Sequence, residues 1–117
     1  MELDLFDEIQ RLRQEGRKAA LATIVQIRGS VPSFQTAKML IRDDGSTLGS
    51  IGGGCVEAEV WAAAQDVLQQ ERSRMMSFDL TAESMADSGL ICGGKLEVFI
   101  EPVLPSPRMV IFGAGHI

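Results

Sequence analysis

Lys38-Met39-Leu40-Ile41-Arg42 runs into Asp43-Asp44-Gly45-Ser46, then Thr47-Leu48-Gly49-Ser50-Ile51, then Gly52-Gly53-Gly54-Cys55-Val56-Glu57. This stretch decides the fold. Two apolar segments flank a turn-forming Asp-Asp-Gly-Ser, which predicts a β-hairpin. Three glycines then break the strand. Beyond them Val56, Val60, Ala64, Val67 and Leu68 recur at helical spacing, so a helix is expected from about Cys55 to Gln70. Val60, Ala64 and Val67 form the stripe that faces a sheet.

Upstream, Leu5, Ile9 and Leu12 fall at helical spacing among Asp7, Glu8, Arg11 and Arg13. They predict an amphipathic first helix ending near Gly16. Ala19 to Ile27 is apolar almost throughout, which suits a strand covered on both faces. Arg28-Gly29-Ser30-Val31-Pro32-Ser33 reads as a loop. Downstream, residues 75–80 predict a strand, Thr81 to Ser88 a short helix, and Gly89 to Gly94 a loop. Leu96-Glu97-Val98-Phe99-Ile100 alternates as a strand. The fold class is therefore α/β: a mixed β-sheet of five or six strands flanked by helices. Pro102, Pro105 and Pro107 mark residues 102–108 as an interdomain linker, because proline interrupts a regular ladder. Residues 109–117 then read as the first strand and Gly113-Ala114-Gly115 turn of a Rossmann-like domain. The third glycine, the helix and the acidic ribose ligand of that fingerprint are missing. On this reading the chain is a first domain, 1–101, with the start of a second.

Composition narrows the function. Hydrophobic residues make up 45% and charged residues 23%, as in ordinary globular protein. A net charge of −5 argues against nucleic-acid binding and against docking on anionic lipid. No apolar run reaches the length of a membrane span, and the acidic start, Met1-Glu2-Leu3-Asp4, is unlike a secretory signal. The expected compartment is the cytoplasm, with the two cysteines reduced.

Chemistry centres on two glycine–cysteine turns. In Gly52-Gly53-Gly54-Cys55-Val56-Glu57 the glycines let backbone N–H groups approach a ligand, and the helix start favours an anion. The same field favours the thiolate of a cysteine placed there, and Glu57 and Glu59 oppose it. A second reading is a tight turn beside a small buried thiol. Cys92-Gly93-Gly94 repeats the association before another strand, so the two turns are expected to face one ligand. No zinc pattern exists, since His116 is the sole histidine. No catalytic dyad or triad emerges either. Ser30, Lys38 and Asp79 are weaker polar candidates: Lys38 could meet a phosphate, and Asp79 a heterocycle.

Gly29-Ser30-Val31-Pro32, Ala37-Lys38-Met39-Leu40-Ile41, Gly49 through Glu57, and Leu90-Ile91-Cys92-Gly93-Gly94-Lys95-Leu96-Glu97-Val98 occur in order. Together they resemble the XdhC/CoxI family, the xanthine dehydrogenase accessory factors. Val110 to His116 resembles the opening of that family's Rossmann-like domain. The chain departs at Pro32-Ser33-Phe34-Gln35-Thr36, where many members carry Pro-Arg and a Pro-Gly pair.

The resemblance implies a chaperone that binds the molybdenum cofactor, a molybdopterin, and delivers it to a molybdenum hydroxylase such as xanthine dehydrogenase. It implies a link to a cysteine desulfurase. Its candidate cofactor contacts are Gly52, Gly53, Gly54, Cys55, Glu57, Cys92, Gly93, Gly94, Ser30 and Lys38. A homodimer is expected, because Val110-Ile111-Phe112 would seek a partner surface. No catalytic or metal-ligating residue is expected. The alternatives are a thiol-dependent sulfur carrier, or an NAD(P)-linked oxidoreductase whose nucleotide site, begun at Gly113 and Gly115, would be completed only in a longer protein.

Overall fold

The computed structural model describes residues 4–28, 37–52, 54–80 and 94–107. The elements are α1 (Leu5–Gln14), β1 (Ala19–Arg28), β2 (Lys38–Arg42), β3 (Thr47–Gly49), α2 (Gly54–Gln70), β4 (Arg74–Leu80) and β5 (Gly94–Val103). They form an α/β fold with helices on both faces of a five-stranded sheet, ordered β3-β2-β1-β5-β4. Every strand pair among the described residues is antiparallel, so the sheet is not mixed in direction. The expected helix at residues 81–88 and the Rossmann-like start at 109–117, with Gly113 and Gly115, lie outside the described residues.

β1 sits at the centre because its side chains are apolar on both sides. Ala20, Ala22 and Ile24 join Met39, Ile41, Val98 and Ile100 under α2. Ala19 and Leu21 join Leu40 and Val103 under α1, which contributes Leu12 and the half-buried Leu5 and Ile9. Alanine at positions 19, 20 and 22 keeps the central strand thin enough for helices to approach from both sides. α2 buries Val56, Val60, Ala64 and Val67, as expected from their spacing, together with Ala63, and leaves Leu68 half-buried. Each such valine contributes roughly 1.5–3 kcal/mol when fully buried.

Burial on both faces stops partway along β1. Val25 is 50% exposed, and the pairing with β5 shifts register between Ile24 and Gln26. One extra residue at Val25 sets Ile24 opposite Val98 and Ile27 opposite Leu96, both of which are buried.

β5 also runs further than its alternating pattern suggests, through Pro102 and Val103 and into the stretch read as a linker. β4 pairs with β5 no further than Ile100. Pro102 therefore lies where β5 has a strand on one side only, a position that a residue without N–H tolerates.

α1 begins at Asp4, whose carboxylate accepts the Phe6 N–H at 2.9 Å. It is fixed to the sheet by one buried acid. Glu8, 4% exposed, accepts from Arg11 Nε at 2.7 Å and from Arg42 Nε of β2 at 2.6 Å. At its far end Arg13 Nε donates to the Leu104 carbonyl at 3.0 Å, and the Arg13 carbonyl accepts from the Ser106 N–H at 3.2 Å. On the other face the Trp61 indole of α2 donates to the Gly45 carbonyl in the hairpin turn at 3.0 Å. Among the described residues no helix is long and apolar enough to cross a membrane.

Candidate functional site

Antiparallel pairing sorts the chain's connections by edge. β1, β3 and β4 end at one edge of the sheet, and β2 and β5 begin there. Residues 29–36, the glycine turn before α2, and residues 81–93 all attach at that edge. The opposite edge holds the hairpin turn, the end of α1 and residues 104–107. Topology alone thus gathers the attachment points of every glycine–cysteine segment.

The turn from Ser50 to Cys55 is built from inside. The Ile51 side chain is 1% exposed and Val56 is fully buried, both in the α2 core. These two anchors hold the backbone down. Between them Gly52 takes φ 118° and Gly54 φ 67°, conformations that a residue with a Cβ adopts only with strain. Glu57, in the first turn of α2, reaches back over the loop. Its Oε2 accepts the Ile51 N–H at 3.1 Å and the Ser50 hydroxyl. Ser50 Oγ in turn accepts the Gly52 N–H at 3.2 Å.

The N–H groups of Ile51 and Gly52 are held by Glu57 and Ser50, not left open for an outside anion. Glu57 turns its Oε2 to the loop's own backbone and hydroxyl. What the turn presents is the thiol: Cys55 is a free, exposed cysteine at the start of α2. The alternative of a small buried thiol does not hold for this residue.

Lys38 opens β2, half-buried, and its carbonyl oxygen would lie 2.5 Å from a Cβ placed on Gly49. The β2–β3 pairing therefore fixes Lys38 beside the glycine turn. Asp79 pairs opposite Lys95 across β4 and β5, close to Gly94 at the start of β5. β3 and β5 are not neighbours: β2 and β1 separate them. That sets the two segments' points of attachment about 14 Å apart sideways, and the register puts Gly49 level with Ile100, a further ~20 Å along β5 from Gly94. Ser30, Gly53, Cys92 and Gly93 lie outside the described residues.

One contributor was not singled out from the sequence. Ser50 supplies the hinge of the hydrogen-bonded turn. A serine just before a glycine run, with a glutamate in the following helix's first turn, is the signal that could have found it. It is a longer-reach relative of the capping box.

Residues 12–79 match the XdhC and CoxI family, and the chain belongs to that family. It is 37% identical to the Escherichia coli (strain K12) protein YqeB over 98% of this chain and 21% of that one. It is 35% identical to the molybdenum cofactor insertion chaperone PaoD of the same organism, over 69% of this chain and 25% of that one. A crystal structure of a xanthine dehydrogenase from Bacillus halodurans shares the fold with TM-score 0.69 and 30% identity. That match covers 86% of this chain and 31% of that one. The chain thus spans less than a third of the length of each of these proteins.

Proposed function

We propose that this chain is the cofactor-handling domain of a molybdenum cofactor insertion factor serving a xanthine dehydrogenase or related molybdenum hydroxylase. The observation that carries the reading is the exposed Cys55 thiol, set at a helix start on a hydrogen-bonded turn, in a family member similar to PaoD. Molybdopterin offers sulfur-rich chemistry near its metal and a phosphate at its other end. A soft thiol suits the first. The donors at Ile51 and Gly52 are taken, so they do not serve the second. Cys55 and Gly54 would meet the cofactor, with Lys38 alongside. Cys92, Gly93 and Ser30 complete the proposed set.

The proposal extends to a second, Rossmann-like domain opening at 109–117, to a homodimer, and to exchange with a cysteine desulfurase. The cytoplasm is the compartment in which Cys55 would stay reduced.

Cys55→Ala is expected to lower molybdopterin retained on purification by about tenfold, the effect of losing one strong contact, with Tm unchanged. An exposed side chain leaves no core cavity when it is shortened. Retention unchanged from the wild type in both Cys55→Ala and Cys92→Ala would remove the site. The exposed thiol also favours a sulfur-carrier reading. Persulfide on Cys55 after incubation with a desulfurase, without retained cofactor, would select it.

A further inference from the structure

We infer that Glu57 is a positioning residue: with Ser50 it presets the turn that presents Cys55, and it does not itself touch the ligand. This rests on the cofactor-handling reading of the same turn.

Three features of the structure converge on it. First, one Glu57 oxygen takes both the Ser50 hydroxyl and the Ile51 N–H. Second, the same Ser50 oxygen takes the Gly52 N–H, so carboxylate, hydroxyl and two backbone donors form one connected chain of bonds. Third, the backbone those bonds hold has Gly52 and Gly54 at positive φ, which glycine reaches without strain but as only one of many conformations open to it. A turn of glycines is flexible unless something outside its own backbone fixes it. Ile51 and Val56 fix its base, and Glu57 fixes its path above that base. The glycines then supply the shape, the glutamate supplies the order, and the cysteine supplies the contact. A thiol held in one place meets a ligand without first ordering the loop, so less binding free energy is lost.

The experiment compares Glu57→Ala, Glu57→Gln and Ser50→Ala in the protein carrying this chain. Alanine and glutamine remove the same charge. Glutamine keeps a carbonyl oxygen that can accept from Ser50 and Ile51, so any difference between the two reports hydrogen bonding. Amide hydrogen exchange at Ile51 and Gly52 is expected to rise about tenfold or more in Glu57→Ala, the scale of a lost bond to a charged acceptor. Glutamine restores most of the protection. Molybdopterin retention follows the same order, with alanine lowest.

Unchanged exchange at Ile51 and Gly52 in Glu57→Ala would overturn the brace itself. Faster exchange with undiminished retention would overturn its role toward the cofactor while the cofactor reading stood. Faster exchange in a protein whose wild type retains no molybdopterin would keep the brace and sink the cofactor reading. Should Glu57→Ala fail to fold, Ser50→Ala carries the comparison, with faster Gly52 exchange expected and unchanged exchange counting against the proposal.

Discussion

Replacing Glu8 by alanine lowers the stability of the domain by about 3 kcal/mol, the scale of removing one partner from a buried ion pair. The Glu8 side chain is 3% exposed and that of Arg42 14% exposed. Without the carboxylate, the Arg42 guanidinium is left largely out of water with its acidic partner gone. α1 also loses its link to β2, and the small core of Leu12, Ala19, Leu21, Leu40 and Val103 beneath it loosens. A melting-temperature drop above about 10 °C is expected for a domain of this size. A drop under about 2 °C would mean that apolar packing alone holds α1.

The same residue sets an acid limit. Hydrogen bonds from Arg11, and then from Arg42, outweigh the opposing cost of burial and hold the Glu8 carboxyl at about 2, against an ordinary 4.5. The folded value lies below the unfolded one. The stabilisation is therefore complete above the ordinary value and is lost as pH falls from 4.5 towards about 2. Glu8→Gln should flatten stability across that window and leave the two proteins closest at its acid end. A gap between them that stays constant through the window would contradict this.

The second large effect is expected at Gly49. Its φ is 85°, and a Cβ there would lie 2.5 Å from the Lys38 carbonyl oxygen. That oxygen belongs to strand backbone and cannot swing aside as a side chain would. Gly49→Ala should cost about 3 kcal/mol, combining left-handed strain with a forced separation of β2 and β3. Because β3 has only three residues, the loss should appear first as faster amide exchange at Met39 and Gly49. Urea unfolding of the variant gives the total, and a difference below about 0.5 kcal/mol would show that β3 can shift without cost. The glycine turn follows β3 directly, so Cys55 should lose its fixed position as well.

Much of this architecture was legible in the residues. The hairpin announced itself through Asp43-Asp44-Gly45-Ser46, and α2 through Val56, Val60, Ala64 and Val67, because local periodicity carries that information. The apolar run from Ala19 marked a central strand, and its three alanines sit between two helices. What escaped was non-local. Strand order and direction depend on which partners meet across long loops. The bulge at Val25 follows from a partner strand's register. Glu8 looked like a solvent-facing residue of an amphipathic helix until Arg42 arrived from a strand far along the chain. At the site, glycine spacing located the turn correctly, but it said nothing about which donors remain open. That answer depended on a side chain seven residues beyond Ser50 folding back over the loop. The second cysteine segment is expected to face the same ligand as the first, yet two intervening strands separate the strands to which they attach.

The edge-sorting of the sheet has a practical corollary. Residues 104–107 leave the fold beside the end of α1, while Cys55 stands at the opposite edge. The register sets Gly49, where β3 runs into the glycine turn, level with Ile100 of β5 and three strands to the side of it. A tether joined to residues 104–107 therefore meets the fold beside the end of α1 and away from the turn that carries the exposed Cys55 thiol.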